Sequence, residues 1–198
     1  TSPIEVTWEV ARDEHMKDVV RSGVTLAMAD VAHSVHLEVM GLEPARWYWY
    51  RFRAQGVESP IGRTRTAPTP GAALSSMSFA AACCQHWMYG NWAAYRRMVE
   101  EKIDFILHLG DYIYEAPSSS PAAVKQKVRD VPFDVPKTLG DYRRVHAHYK
   151  TDPAIQAAHA AFPWIMTWDD HEVENDYTGS STERRLALFE VLQQRAAA

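Results

Sequence analysis

Cysteine is nearly absent from this sequence, with two in 198 residues, the adjacent pair Cys83 and Cys84. Neighbouring cysteines are poor partners for an unstrained bridge, which excludes a disulfide-stapled scaffold. A structural thiol, a reactive thiol and a metal ligand stay open. Long apolar runs are missing too. No window approaches the roughly 18 residues of a spanning helix, so no membrane span is expected. Excess positive charge is also missing: the formal net charge is -4 and the sequence pI about 6.1. Binders of nucleic acid usually carry a basic patch or a high pI, and no such signature is present. The first residues lack the basic start and apolar core of a signal peptide, which a mature secreted protein would lack as well. What is present is an ordinary globular mixture, 46% hydrophobic and 23% charged, long enough for one large domain or two small ones.

The pattern changes near residue 68. Before it, alternation over Ile4–Val10, Val24–Met28 and His36–Val39 reads as β-strand. Gly41-Leu42-Glu43-Pro44 is a turn cluster, followed by the aromatic strand Trp47–Arg53. Short strands with turns between them suggest a sandwich. Thr66-Ala67-Pro68-Thr69-Pro70-Gly71 is a proline-rich linker. Beyond it the pattern is α/β. Met77–Cys83, Phe105–Leu109 and Trp164–Trp168 read as buried strands, and Asn91–Lys102 as a helix with Trp92, Tyr95, Met98 and Val99 on one face. The first two strands with their crossover helix form a βαβ unit and are expected to be parallel. Residues 116–137 contain four prolines and read as an irregular insertion. Helices are expected over Leu139–Tyr149, from the Asp152-Pro153 start to about Ala161, and over Glu183–Arg195.

Each buried strand ends in residues able to hold a metal: Cys83-Cys84-Gln85-His86, Gly110-Asp111-Tyr112-Ile113-Tyr114 and Asp169-Asp170-His171-Glu172. Parallel strands bring their carboxyl ends to one edge, where open α/β sheets bind ligands. Asp111 can bridge two cations through its two oxygens, although Gly-Asp alone reads more often as a turn. Tyr114 offers a hard oxygen suited to ferric iron, or it is a packed aromatic. Four consecutive ionisable side chains from Asp169 to Glu172 are costly unless something pairs them, and a divalent metal would do so; the alternative is a solvated helix start. His171 could pass a proton to a leaving oxygen. Cys84 is a soft metal ligand or a buried thiol. His86, His108, His146, His148 and His159 read as structural or surface residues.

These segments resemble the PhoD-type alkaline phosphatases/phosphodiesterases, a branch of the calcineurin-like metallophosphoesterases. Phe79–Gln85, His108–Glu115 and Thr167–Asn175 look like three successive signatures of that family, in order and spacing. Gly110-Asp111-Tyr112-Ile113-Tyr114 also matches the Gly-Asp-x-x-Tyr motif of iron-containing purple phosphatases. The resemblance implies a metal site of Fe3+ and Ca2+ held by Cys84, Asp111, Tyr114, Asp170 and Asn175, with His171 at the phosphate or leaving group. It implies metal-dependent hydrolysis of a phosphate ester, in a secreted, periplasmic or cell-wall enzyme. Leu42–Tyr50 resembles a fibronectin III turn, with Tyr48 as the corner tyrosine.

The expected fold class is therefore an α+β chain in two parts. A partial fibronectin-III-like β-sandwich spans residues 1–66, a linker 67–76, and the first half of an α/β metallophosphoesterase domain 77–198. Family members run longer, and no second Asp/His cluster follows Asn175, so an incomplete part of the enzyme is expected. The alternative is a non-catalytic β-sandwich binding protein with a remnant phosphoesterase domain. Preference for monoester or diester, and oligomeric state, are not legible.

Overall fold

In a computed structural model of the chain, residues 2–117 and 121–176 are described. The helix expected over Glu183–Arg195 lies outside them. The fold is mixed α/β, and the chain divides into two compact units.

The first unit comprises the residues up to Ser78, with Lys102–Phe105 and His159–Pro163 joining it. Its strands are β1 (Ile4–Ala11), β2 (Val19–Ala27), β3 (Trp47–Ala54), β4 (Val57–Glu58) and β5 (Gly62–Arg65). They form one sheet in the order β2-β1-β3-β4, with β5 also pairing β3. All its pairings are antiparallel. Val6, Val10, Ala11, Ala27 and Tyr48 are buried with Met16. Strand β1 supplies half of this core: Val6 and Val10 share a face by the period-2 pattern, and the adjacent Ala11 follows the register shift between Val10 and Ala11. The Tyr48 hydroxyl accepts the Glu43 N–H at 2.8 Å, fixing the turn ahead of β3.

The strand expected over His36–Val39 does not form; residues 34–40 carry no regular element. The Arg21 guanidinium instead binds the carbonyls of Met40 and Gly41, at 3.0 and 2.7 Å, and holds this stretch as a loop. The second strand in turn starts at Val19 rather than Val24.

The second unit contains β6 (Phe79–Ala82), α1 (Ala93–Glu100), most of β7 (Phe105–His108), α2 (Pro121–Lys125), α3 (Leu139–Tyr149), most of α4 (Pro153–Ala161) and β8 (Trp164–Met166). The sheet order is β6-β7-β8, and β7 and β8 are parallel, with Ile106 opposite Trp164 and His108 opposite Met166. Past the end of β6, the Leu109 N–H donates to the Ala82 carbonyl and the Cys84 N–H to the Gly110 carbonyl. These bonds advance together along both segments, which is the parallel sense. Only the central strand is buried: Ile106 and His108 are 0% exposed. The two edge strands are more open than expected, with Phe79 on β6 and Ile165 and Met166 on β8 exposed.

Helix α1 starts at Ala93 rather than Asn91 because Trp92 has a left-handed backbone, φ 44°. Helix α3 starts on a reciprocal capping box, in which Thr138 accepts the Asp141 N–H and Asp141 accepts the Thr138 N–H. The insertion carries the short α2 and is otherwise irregular in its described residues.

Candidate metal centre at three strand ends

Parallel pairing delivers the ends of β6, β7 and β8 to one edge of the sheet. At the end of β7 the chain turns at Gly110, whose φ is 104°. A Cβ there would stand 2.6 Å from the Asp169 Cβ and 2.7 Å from its backbone nitrogen. Only glycine allows this turn to press against the β8 segment. Asp111 and Cys84 follow in left-handed conformations, φ 54° and 55°. Non-glycine residues rarely adopt that region, and the surroundings must hold them there.

Glu172 supplies much of that hold. Its carboxylate accepts the backbone N–H groups of Asp111 and Asp169 on one oxygen, at 2.9 and 2.7 Å. The other oxygen accepts those of Tyr112 and Ile113. One carboxylate thus clamps the β7 turn to the β8 turn. Burial pushes this carboxyl upward, opposed by the same backbone donors.

Ligand atoms of Asp111, Asp170 and His171 lie within 4.8 Å of one another. Asp111 is 5% exposed. One of its oxygens accepts the His171 N–H at 3.3 Å, and the other accepts the Tyr114 hydroxyl at 3.0 Å. Asp170 accepts the Asp176 N–H at 2.6 Å, and that bond holds its carboxyl below the usual range. The Cys84 thiol stands beside Tyr114 and Asp111. Burial of the thiol, with Cys83 and Asp111 beside it, pushes Cys84 up to about 11, although the residue as a whole is exposed. Burial, then the Asp111 carboxylate, raises the Tyr114 phenol as well.

His171 is oriented by Glu115, a 4% exposed carboxylate whose Oε2 lies 2.7 Å from His171 Nδ1. The other oxygen of Glu115 accepts the Asn175 N–H at 3.0 Å. This leaves Nε2 of His171 free for chemistry. The ring stacks on Tyr114 with centroids 4.0 Å apart, and Tyr114 stacks on His86 at 4.3 Å.

The structure therefore brings together Asp111, Asp170 and His171 directly, and Tyr114 and Cys84 through Asp111. The side-chain amide nitrogen of Asn175 donates to Asp176 at 2.9 Å. His86 has a structural part: its Nδ1 accepts the Met88 N–H, and burial lowers it to about 4. Sequence reasoning assigned no part to Glu115 or the Glu172 clamp. Apart from Asp169, the partners of both stand 56 to 61 residues away along the chain; the only local signal was an acid directly after Tyr114 and another directly after His171.

The donor set fits a cation. Among the described residues no lysine or arginine pairs with Asp111, Asp170 or Glu172. Asp and Asn oxygens suit a hard ion, and phenol and thiol suit ferric iron. A cation would lower the two raised acids beside it, since it favours phenolate and thiolate.

A family model described as "PhoD-like phosphatase" matches residues 79–198, and one described as "PhoD-like phosphatase, N-terminal domain" matches residues 1–68. The chain is 46% identical over 195 residues to alkaline phosphatase D of Bacillus subtilis (strain 168), covering 98% of this chain and 33% of that protein. A solved structure described as "Structure of PhoD" superposes with a TM-score of 0.88 at 45% identity, covering 98% of this chain and 39% of that one. The chain thus spans about a third of the length of the curated relative it matches.

Proposed function

The chain belongs to the PhoD-like phosphatase family, and from that premise we propose that its three strand ends form part of a metal-dependent site that hydrolyses phosphate esters. The observation that carries this reading is the convergence of Asp111, Asp170 and His171 within 4.8 Å with no cationic side chain to neutralise them among the described residues.

In this reading Asp111 and Asp170 would hold the metal ions, with Cys84 and Tyr114 as the ligands suited to iron. Asn175 is the weaker candidate, as a calcium ligand through its amide oxygen. Fe3+ and Ca2+ are the ions proposed. When bound, they supply charge neutralisation at the phosphoryl oxygens and activation of water. The chain's own contribution is orientation. Glu115 holds the His171 ring by Nδ1, so Nε2 faces the ester and gives its proton to the departing oxygen. The Glu172 clamp keeps Asp111 and the Asp170 turn in register for this.

The proposed layout is a fibronectin-III-like region at 1–66, a linker at 67–76 and a metallophosphoesterase region from 77 onward. The Tyr48 hydroxyl on the Glu43 amide supports the first part, because a corner tyrosine bonds the backbone a few residues upstream in that class of sandwich.

The test is metal analysis of the full-length protein with assays on a phosphomonoester and a phosphodiester, repeated with Asp111→Asn. Bound metal and turnover are expected in the parent. The variant is expected to lose more than about 100-fold in rate, beyond the 10- to 100-fold cost of losing a supporting group. Full activity in Asp111→Asn would sink the assignment.

A further inference from the structure

We propose that Tyr149 is a positioning residue for this metal centre, a conclusion that rests on the metallophosphoesterase reading above. Tyr149 ends α3 and is 0% exposed. With Tyr142 and Val145 it forms the buried stripe of that helix, at the spacing a helical face requires. Its hydroxyl oxygen accepts two backbone N–H groups, that of Tyr114 at 3.0 Å and that of Trp87 at 3.2 Å.

Those two amides belong to different ligand-bearing turns. Tyr114 lies on the turn that also carries Asp111. Trp87 lies three residues after Cys84, on the segment whose His86 ring stacks on Tyr114. One oxygen therefore ties the β6 turn to the β7 turn, as Glu172 ties the β7 turn to the β8 turn. Together the two clamps link all three strand ends. The Tyr149 clamp acts on the side where Cys84 and Tyr114 meet, and both Cys84 and Asp111 need outside support for their left-handed backbones.

The ring itself packs against Trp87, Trp92 and Phe133, with centroids 5.7, 5.6 and 6.4 Å away. Removing only the oxygen keeps that packing and leaves two amides without their acceptor. The spacing between Cys84 and the Tyr114 phenol is then no longer fixed, and the site binds its metal more weakly.

The experiment compares the full-length protein, Tyr149→Phe and Tyr48→Phe. Tyr48→Phe removes a buried hydroxyl from the antiparallel sheet and serves as the stability control. Amide hydrogen exchange is read at Tyr114 and Trp87, metal affinity by competition with a chelator, and the phenolate-to-iron absorption band after ferric loading. Tyr149→Phe is expected to speed exchange at both amides, lower metal affinity about 10- to 100-fold and shift the band. Tyr48→Phe is expected to lower Tm and leave affinity and band unchanged. If Tyr149→Phe does not fold, Tyr149→His supplies one acceptor nitrogen in place of the oxygen, and its affinity is expected to fall below that of the parent. Parent-like affinity and band in the folded Tyr149 variant would overturn the inference and leave the site intact. A parent protein that binds no metal would instead bring down the site reading, and this inference with it.

Discussion

In the antiparallel sheet, Glu9 faces arginines: its carboxylate lies 2.7 Å from Arg51 Nε and 3.2 Å from Arg53, while Glu58 takes the other side of the same pair. At the strand ends of the second unit, Asp111, Asp170 and Glu172 face backbone N–H groups, a tyrosine and a histidine. Glu9 and Glu172 respond in opposite directions, while the Asp176 N–H lowers Asp170. The bond from Arg51 lowers Glu9, whereas burial raises Glu172. In the sheet the counter-charge is built into the chain, with Arg51 half-buried and Arg53 more open. At the strand ends the acids are ordered, half-buried or buried, and without a cation of their own among the described residues. Order without neutralisation is costly for folding alone, and it makes sense where the neutralising charge arrives as a ligand.

The sharpest way to break this contrast is at Gly110. A methyl group there meets Asp169 backbone at 2.7 Å, and the residue's φ of 104° is strained for any L side chain. Gly110→Ala is expected to cost about 3 kcal/mol and to separate the β7 and β8 turns. Urea melts and metal binding measure both. A variant of parental stability that still binds metal would show that the turns are not held by this close approach.

The turn chemistry at Gly110 was legible because only local residue types were needed. Helix α3 was read at its observed limits, Leu139–Tyr149, and α4 at its start after Asp152, because caps and helical stripes are also local. His36–Val39 alternates like a strand but has no partner strand, since Arg21 claims the carbonyls at its end. Trp164–Trp168 reads as a buried strand, yet the observed strand stops at Met166 and Ile165 is 56% exposed, because an apolar run does not tell a central strand from an edge. The same limit applies to the site. The proposed ligands Cys84, Asp111, Tyr114 and Asp170 and the proposed proton donor His171 stand out by type and by following a strand. Glu115, Glu172 and Tyr149 work through partners on other elements, so their parts emerge only once the strand ends are placed together.

A smaller effect separates the two regions by pH. His108 on β7 is fully buried, neither ring nitrogen has a hydrogen-bond partner, and burial lowers it to about 4. Unfolded, it returns to about 6.5, so between these values the unfolded chain binds the extra proton. Stability is therefore lost as pH falls from about 6.5 towards 4. The expected loss between pH 7 and pH 5 is about 2 kcal/mol. His108→Leu is expected to flatten that slope in urea melts at the two pH values. An unchanged slope would mean that His108 is not the group titrating there.

The smallest effect belongs to the sheet. Glu9→Gln removes the shared partner of Arg51 and Arg53, whose side chains keep 21% and 40% exposure. Pairs this open gain little, because water screens them and two long side chains must be held still. The loss is expected to stay within about 1 kcal/mol and to shrink further at high salt. Its pH dependence runs opposite to that of His108 in origin: a carboxyl lowered on folding stabilises above its unfolded range, and the gain disappears as pH falls through the folded value. Glu9→Gln and the parent should therefore converge in acid, with metal binding the same in both. A loss of several kcal/mol, or weaker metal binding, would show that the arginine-faced acids carry more than a surface pair can, and the contrast with the strand ends would no longer mark the proposed metal site.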